Sequence, residues 1–139
     1  MSQVLSPPRR PVKDWPIKLV EWKSEVKHIV ATASQWAKEK GWDVSAEEKL
    51  ITEDVLGSYE VPRLLIHRAD GRLVLDPIAR YVVGAAGRFE FCVLPSYDSI
   101  LLVKDDDGWR FYSQDKRAQG QPWSREAFYV VCDELVLRA

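Results

Sequence analysis

The sequence predicts an α+β domain, an antiparallel sheet of about five strands that carries one amphipathic helix before it and another after it. Three observations lead there. Residues 60–113 hold five runs rich in Val, Ile, Leu, Phe, Tyr and Trp, separated by Ala69-Asp70-Gly71, Gly84-Ala85-Ala86-Gly87, Pro95-Ser96-Tyr97-Asp98 and Asp105-Asp106-Asp107-Gly108. Apolar residues recur at steps of three and four through residues 17–40. A second apolar stripe, preceded by a serine able to cap a helix, closes the chain.

A chain of 139 residues, 46% hydrophobic and 29% charged, is long enough for one core and excludes both a disordered chain and a disulfide-dependent miniature. The formal net charge of -1 hides an asymmetry: residues 1–40 carry eight Lys or Arg against four acids, and the remainder is net acidic. That basic part suits either an acidic partner or the chain's own acidic body.

Residues 1–16 contain Pro7, Pro8, Pro11 and Pro16 with Arg9, Arg10 and Lys13, the composition of a flexible, extended arm ahead of a domain spanning residues 17–139. Pro8-Arg9-Arg10-Pro11-Val12-Lys13 fits the short pattern that aromatic-lined grooves recognise, although such matches are common by chance. The start lacks the apolar core of a signal peptide and no run approaches membrane-spanning length, so a cytoplasmic protein without a membrane partner is expected.

In residues 17–40, Leu19, Trp22, Val26, Ile29, Ala33 and Trp36 form the apolar stripe, widened by Val30 and Ala37, and Gly41 ends the helix. Both tryptophans read as core anchors and His28 as solvated. Residues 42–57 fit neither period for long. Ser45-Ala46-Glu47-Glu48 has the form of a short helix start, and Glu47, Glu48, Glu53, Asp54 and Glu60 concentrate negative charge that could face the basic arm.

Residues 61–76 predict a hairpin with Asp70-Gly71 as the turn, placing Ile66 opposite Leu75 and His67 opposite Val74, with Pro62 at a strand beginning or an edge. Asp76-Pro77 has the form of a helix start closed by Gly84; a strand over residues 78–83 is the alternative. Residues 88–113 predict a three-strand meander. If residues 95–98 and 105–108 are the connections, Phe91, Leu102 and Phe111 lie side by side on the core face. Glu90, Val103 and Arg110 then share a row on the other face, with Cys92, Leu101 and Tyr112 in the next. Beyond a polar loop, Ser124 caps a helix whose buried stripe is Phe128, Val131, Cys132 and Leu135, with Trp123 stapled onto Phe128.

No catalytic or ligand signature rises above background in these residues. Two histidines and two separated cysteines do not make a zinc site, and no cofactor or metal is expected. Cys92 and Cys132 read as free thiols in apolar contexts that disfavour the thiolate. The loop Gly84-Ala85-Ala86-Gly87-Arg88, with Arg80 nearby, lets backbone amides approach an anion but lacks both phosphate-binding patterns. Asp105-Asp106-Asp107-Gly108 lacks the alternating ligands and distal Glu of a calcium loop. The first reading is therefore a non-enzymatic protein-binding or regulatory module, with Glu90, Arg110, Tyr112, Arg80 and Arg88 as candidate binding residues. The alternative is a divalent-metal-dependent hydrolase or nuclease in which Glu53, Asp76 and Glu90 converge as catalytic carboxylates. A protein is the expected partner; an acidic body disfavours nucleic acid, and no oligomeric state is implied.

Overall fold

The computed structural model describes residues 7–81, 86–113 and 120–139. Helix α1 spans Trp15–Glu39, followed by strands β1 (Asp43–Glu53), β2 (Gly57–Arg68), β3 (Gly71–Ala79), β4 (Arg88–Leu94), β5 (Ser99–Asp105), β6 (Gly108–Tyr112) and β7 (Gln121–Pro122), and by helix α2 (Arg125–Val136). The strands form one antiparallel sheet in the order β1-β2-β3-β4-β5-β6-β7, so every strand pairs with its neighbour in sequence. The α+β class holds, with seven strands among the described residues rather than about five.

The first extra strand lies where a short helix was expected. Ser45-Ala46-Glu47-Glu48 belongs to β1, which pairs with β2 from Asp43↔His67 to Glu53↔Gly57. An unbroken ladder of that length outweighs the local preference for a capped turn. Asp76-Pro77 likewise starts no helix, because β3 runs on to Ala79 with an irregularity between Pro77 and Ala79. An irregular rung is where a strand tolerates a residue without an N–H. Gly84 and Ala85, and with them the far end of the alternative strand over 78–83, lie outside the described residues, as do residues 1–6 and 114–119.

Two registers differ from expectation by two residues each. In the first hairpin Ala69-Asp70 is the turn, since Arg68 pairs with Gly71 and Ile66 with Leu73. Arg68 grips Asp70 with Nε and Nη2, both at 2.9 Å, which holds the aspartate inside the turn rather than on the strand. Between β4 and β5 the Val93 N–H donates to the Asp98 carbonyl at 3.0 Å, so Phe91 pairs with Ile100 and Phe89 with Leu102. A slip of two leaves every side chain on its expected face. The β5–β6 register is the one expected, Leu102↔Phe111 and Leu101↔Tyr112.

Both helices lie on one side of the sheet. Helix α1 packs against β1 and β2, and α2 against β3, β4 and β5. Between them and the sheet, Trp22, Val26, Ile29, Ala33, Leu64, Ile66, Leu73, Leu75, Phe89, Phe91, Ile100, Leu102, Phe111, Phe128, Val131 and Leu135 are buried. Asp14 stands at the head of α1 without a side-chain cap bond, and Gly41, with φ of 77°, closes its far end. Among the described residues of the proline arm, Arg10 N–H donates to the Asp54 carbonyl at 2.7 Å and Trp15 packs against the core. Pro62 sits where β2 has β1 as neighbour but has left β3, so its missing N–H costs no bond on the β3 side.

Helix α2 begins as its sequence requires. Ser124 Oγ accepts the Ala127 N–H at 3.1 Å, and Trp123 meets Phe128 edge-on at 5.8 Å. Ser124→Ala is expected to cost about 1 kcal/mol, read as a lower urea midpoint. An unchanged midpoint would show that the aromatic staple alone fixes this end.

Candidate functional site on the uncovered sheet face

Strand alternation sends one set of side chains to the helices and the other to the opposite face, which neither helix covers. On that face Leu65 and Val74 pair across β2–β3, Val74 and Cys92 across β3–β4, and Cys92 and Ser99 across β4–β5. The neighbouring row runs Asp76↔Glu90, Glu90↔Leu101, Leu101↔Tyr112. A third row runs Arg88↔Val103, Val103↔Arg110. All of these residues are only partly buried, whereas their core-facing neighbours on the same strands are closed off.

Arg88, Glu90, Ser99, Leu101, Tyr112 and Ser113 line a hollow of about 250 Å³ on this face. Arg88 Nη2 donates to Glu90 Oε1 at 2.9 Å, while Arg88 Nε is buried with no hydrogen-bond partner. A buried unpaired donor costs about 1–3 kcal/mol. The Tyr112 hydroxyl donates to Asp105 Oδ2 at 3.3 Å. Of the other expected binding residues, Arg110 lies one row away, where Nη1 donates to the Gly120 carbonyl at 2.8 Å and Asp105 and Asp107 stand within 4.0 Å. Arg80 is elsewhere, its guanidinium 4.9 Å from the Tyr81 ring centre. Ser99 escaped sequence reasoning because the register expected for β4 and β5 placed Leu101 rather than Ser99 beside Cys92.

The three alternative catalytic carboxylates have separate employments. Glu53 accepts the Tyr59 hydroxyl at 2.5 Å and the backbone N–H groups of Arg80 and Tyr81 at 3.2 Å, which fastens the β1–β2 tip to the end of β3. Asp76 accepts Lys49 Nζ at 2.8 Å, and Glu90 accepts Arg88. Asp76 and Glu90 are cross-strand neighbours, but each is already neutralised by its own cation. Among the described residues no group of three or more His, Cys, Asp or Glu side chains is gathered to hold a metal ion.

Both cysteines are free. Burial raises the Cys92 thiol pKa, and the carboxylates of Asp76 and Glu90 raise it further against the opposing pull of Arg63. Burial drives Cys132 up more strongly still, inside the α2 stripe. Both therefore hold their protons at neutral pH, which suits packing rather than nucleophilic attack.

Charge on the uncovered face is balanced. Arg63 pairs with Glu47, Lys49 with Asp76, Arg88 with Glu90, and Arg110 stands near Asp105. Among the described residues no helix is long and apolar enough to cross a membrane. Comparison with known proteins finds no match to this chain among family models, curated proteins or solved structures.

Proposed function

We propose that the protein is a non-enzymatic binding module that docks a segment of another protein on the uncovered sheet face. The observation carrying this reading is the face itself: an apolar patch of Leu65, Val74, Cys92, Leu101 and Val103, bordered by paired charges and left bare while both helices pack on the opposite side. Apolar centres with polar rims are how protein-binding surfaces are built. The balanced charge favours a protein over a nucleic acid as the partner. A phosphate backbone requires an excess of Lys and Arg, whereas here each cation is matched by a carboxylate. The complementary partner presents an apolar ridge flanked by side chains of both signs.

A photo-reactive benzoylphenylalanine placed at Leu101, and separately at the exposed α2 residue Val130, tests this in an extract of the source cell. The expected result is a discrete protein adduct from position 101 that is absent from position 130 and weakened by Tyr112→Ala. Adducts only to nucleic acid or to a second copy of this chain, or equal adducts from both positions, would overturn the reading.

A further inference from the structure

A separate cleft opens on the helix side of the sheet, between α1 and the β5–β6 hairpin. Its volume is about 520 Å³, and Ser24, Glu25, His28, Ile29, Lys104, Trp109 and Trp123 line it. That is the size of site that holds a small organic molecule. Lys104 and Trp109 are cross-strand partners, which fixes a cation beside an indole. Lys104 Nζ donates to Glu25 Oε1 at 2.6 Å. The second oxygen, Glu25 Oε2, is buried without a hydrogen-bond partner.

Neither indole is free to collapse into the space. Trp109 is stacked on Trp22 at 6.2 Å and meets Phe89 edge-on at 5.4 Å. Trp123 is wedged against Trp36 at 5.0 Å, Phe111 at 5.6 Å and Phe128 at 5.8 Å. Rigid aromatic walls lower the ordering cost of binding a flat molecule. At the polar end the partly exposed Glu25–Lys104 pair is within reach of the cleft, and the Lys104 ammonium has donors beyond the one given to Glu25. Glu25 and Lys104 cancel in charge, so the polar end suits a neutral or zwitterionic group better than a phosphate.

We propose that this cleft binds a small aromatic molecule carrying an N–H donor next to a hydrogen-bond acceptor, its ring against Trp109 and Trp123 and its polar groups on the Glu25–Lys104 pair. Aromatic α-amino acids and nucleobases both present that combination. The full chain, labelled with nitrogen-15, is titrated separately with L-tryptophan, L-phenylalanine, cytidine and guanosine at millimolar concentration while the indole N–H signals are followed. A saturable shift of the Trp109 or Trp123 signal is expected with one of the two classes, and the class identifies the polar group.

Glu25→Ala should weaken that binding at least about tenfold, the scale of a lost hydrogen bond to a charged group. The Trp22 indole signal, which reports the core, should stay in place. Tyr112→Ala on the opposite face should leave the titration unchanged. If Glu25→Ala disturbs the Trp22 signal, Lys104→Gln supplies the same reading. No saturable shift with any of the four compounds, or unaltered binding in both variants, would overturn the proposal and leave an ion pair open to water.

Discussion

Trp22→Ala is expected to lower stability by about 3–5 kcal/mol, a large share of what holds a domain of this size. Trp22 is fully buried and joins three parts of the chain. Its ring lies 6.1 Å from Phe89 on β4 and 6.2 Å from Trp109 on β6, and its Nε1–H donates to the Tyr59 hydroxyl on β2 at 2.8 Å. Tyr59, also buried, in turn donates its hydroxyl hydrogen bond to Glu53. Losing the indole therefore opens a cavity and removes the tie that holds the β1–β2 tip to the helix. Urea denaturation of both proteins checks the figure, and a loss under about 1 kcal/mol would mean the neighbouring rings close over the gap.

Tyr59→Phe isolates the polar part of that tie. It leaves the Trp22 N–H buried without its acceptor, for which about 1–3 kcal/mol is expected. Burial first, and the Glu53 carboxylate second, push the Tyr59 phenol far above its ordinary pKa. The folded state thus keeps a proton that the unfolded chain releases near pH 10. Its contribution is complete below that pH and is lost as pH rises further. Stability of the native chain should fall more steeply above about pH 10 than that of Tyr59→Phe, and parallel curves would show that this phenol is not protected.

Gly87→Ala is the second large effect, expected at about 1–3 kcal/mol although it adds a single methyl group. A Cβ at this position would stand 2.7 Å from Trp22 Cζ3 and 3.1 Å from Trp109 Cη2, inside contact distance of two rings that have nowhere to go. The backbone cannot retreat either. The Gly87 carbonyl accepts the Lys104 N–H at 2.9 Å, and the Ala86 N–H donates to the Lys104 carbonyl at 2.8 Å. Gly71→Ala is the control, since its Cβ would meet Val136 at an ordinary 3.4 Å or more. Gly87→Ala should lower the urea midpoint well beyond Gly71→Ala, and Trp22→Phe in the same chain should return part of the loss by shortening the ring. Equal midpoints for the two alanine variants would show that the rings yield freely.

Alternation and turn chemistry in the sequence already specified much of the molecule. The α1 stripe, the Ser124 cap, the staple of Trp123 on Phe128 and the two faces of the meander follow from periods of 3.6 and two, which side chains obey wherever one side meets a core. Glu90 and Tyr112 could be assigned to a common face for that reason. Register along β4 could not be, because it depends on which carbonyl the Val93 N–H finds in the turn, and a slip by two preserves every hydrophobic pattern.

Tertiary structure alone decided the rest. Within residues 43–53, Ser45-Ala46-Glu47-Glu48 looks like a helix start, but the segment becomes a strand because β2 offers a complete ladder of partners. Glu53, attractive as a catalytic carboxylate, is claimed by the Tyr59 hydroxyl and two amides that arrive from the far end of β3. Glu25, Lys104, Trp109 and Trp123 are separated by long stretches of chain and share no spacing rule. Their meeting in one cleft is set by how α1 crosses the sheet, a relation among distant residues that local periodicity does not encode.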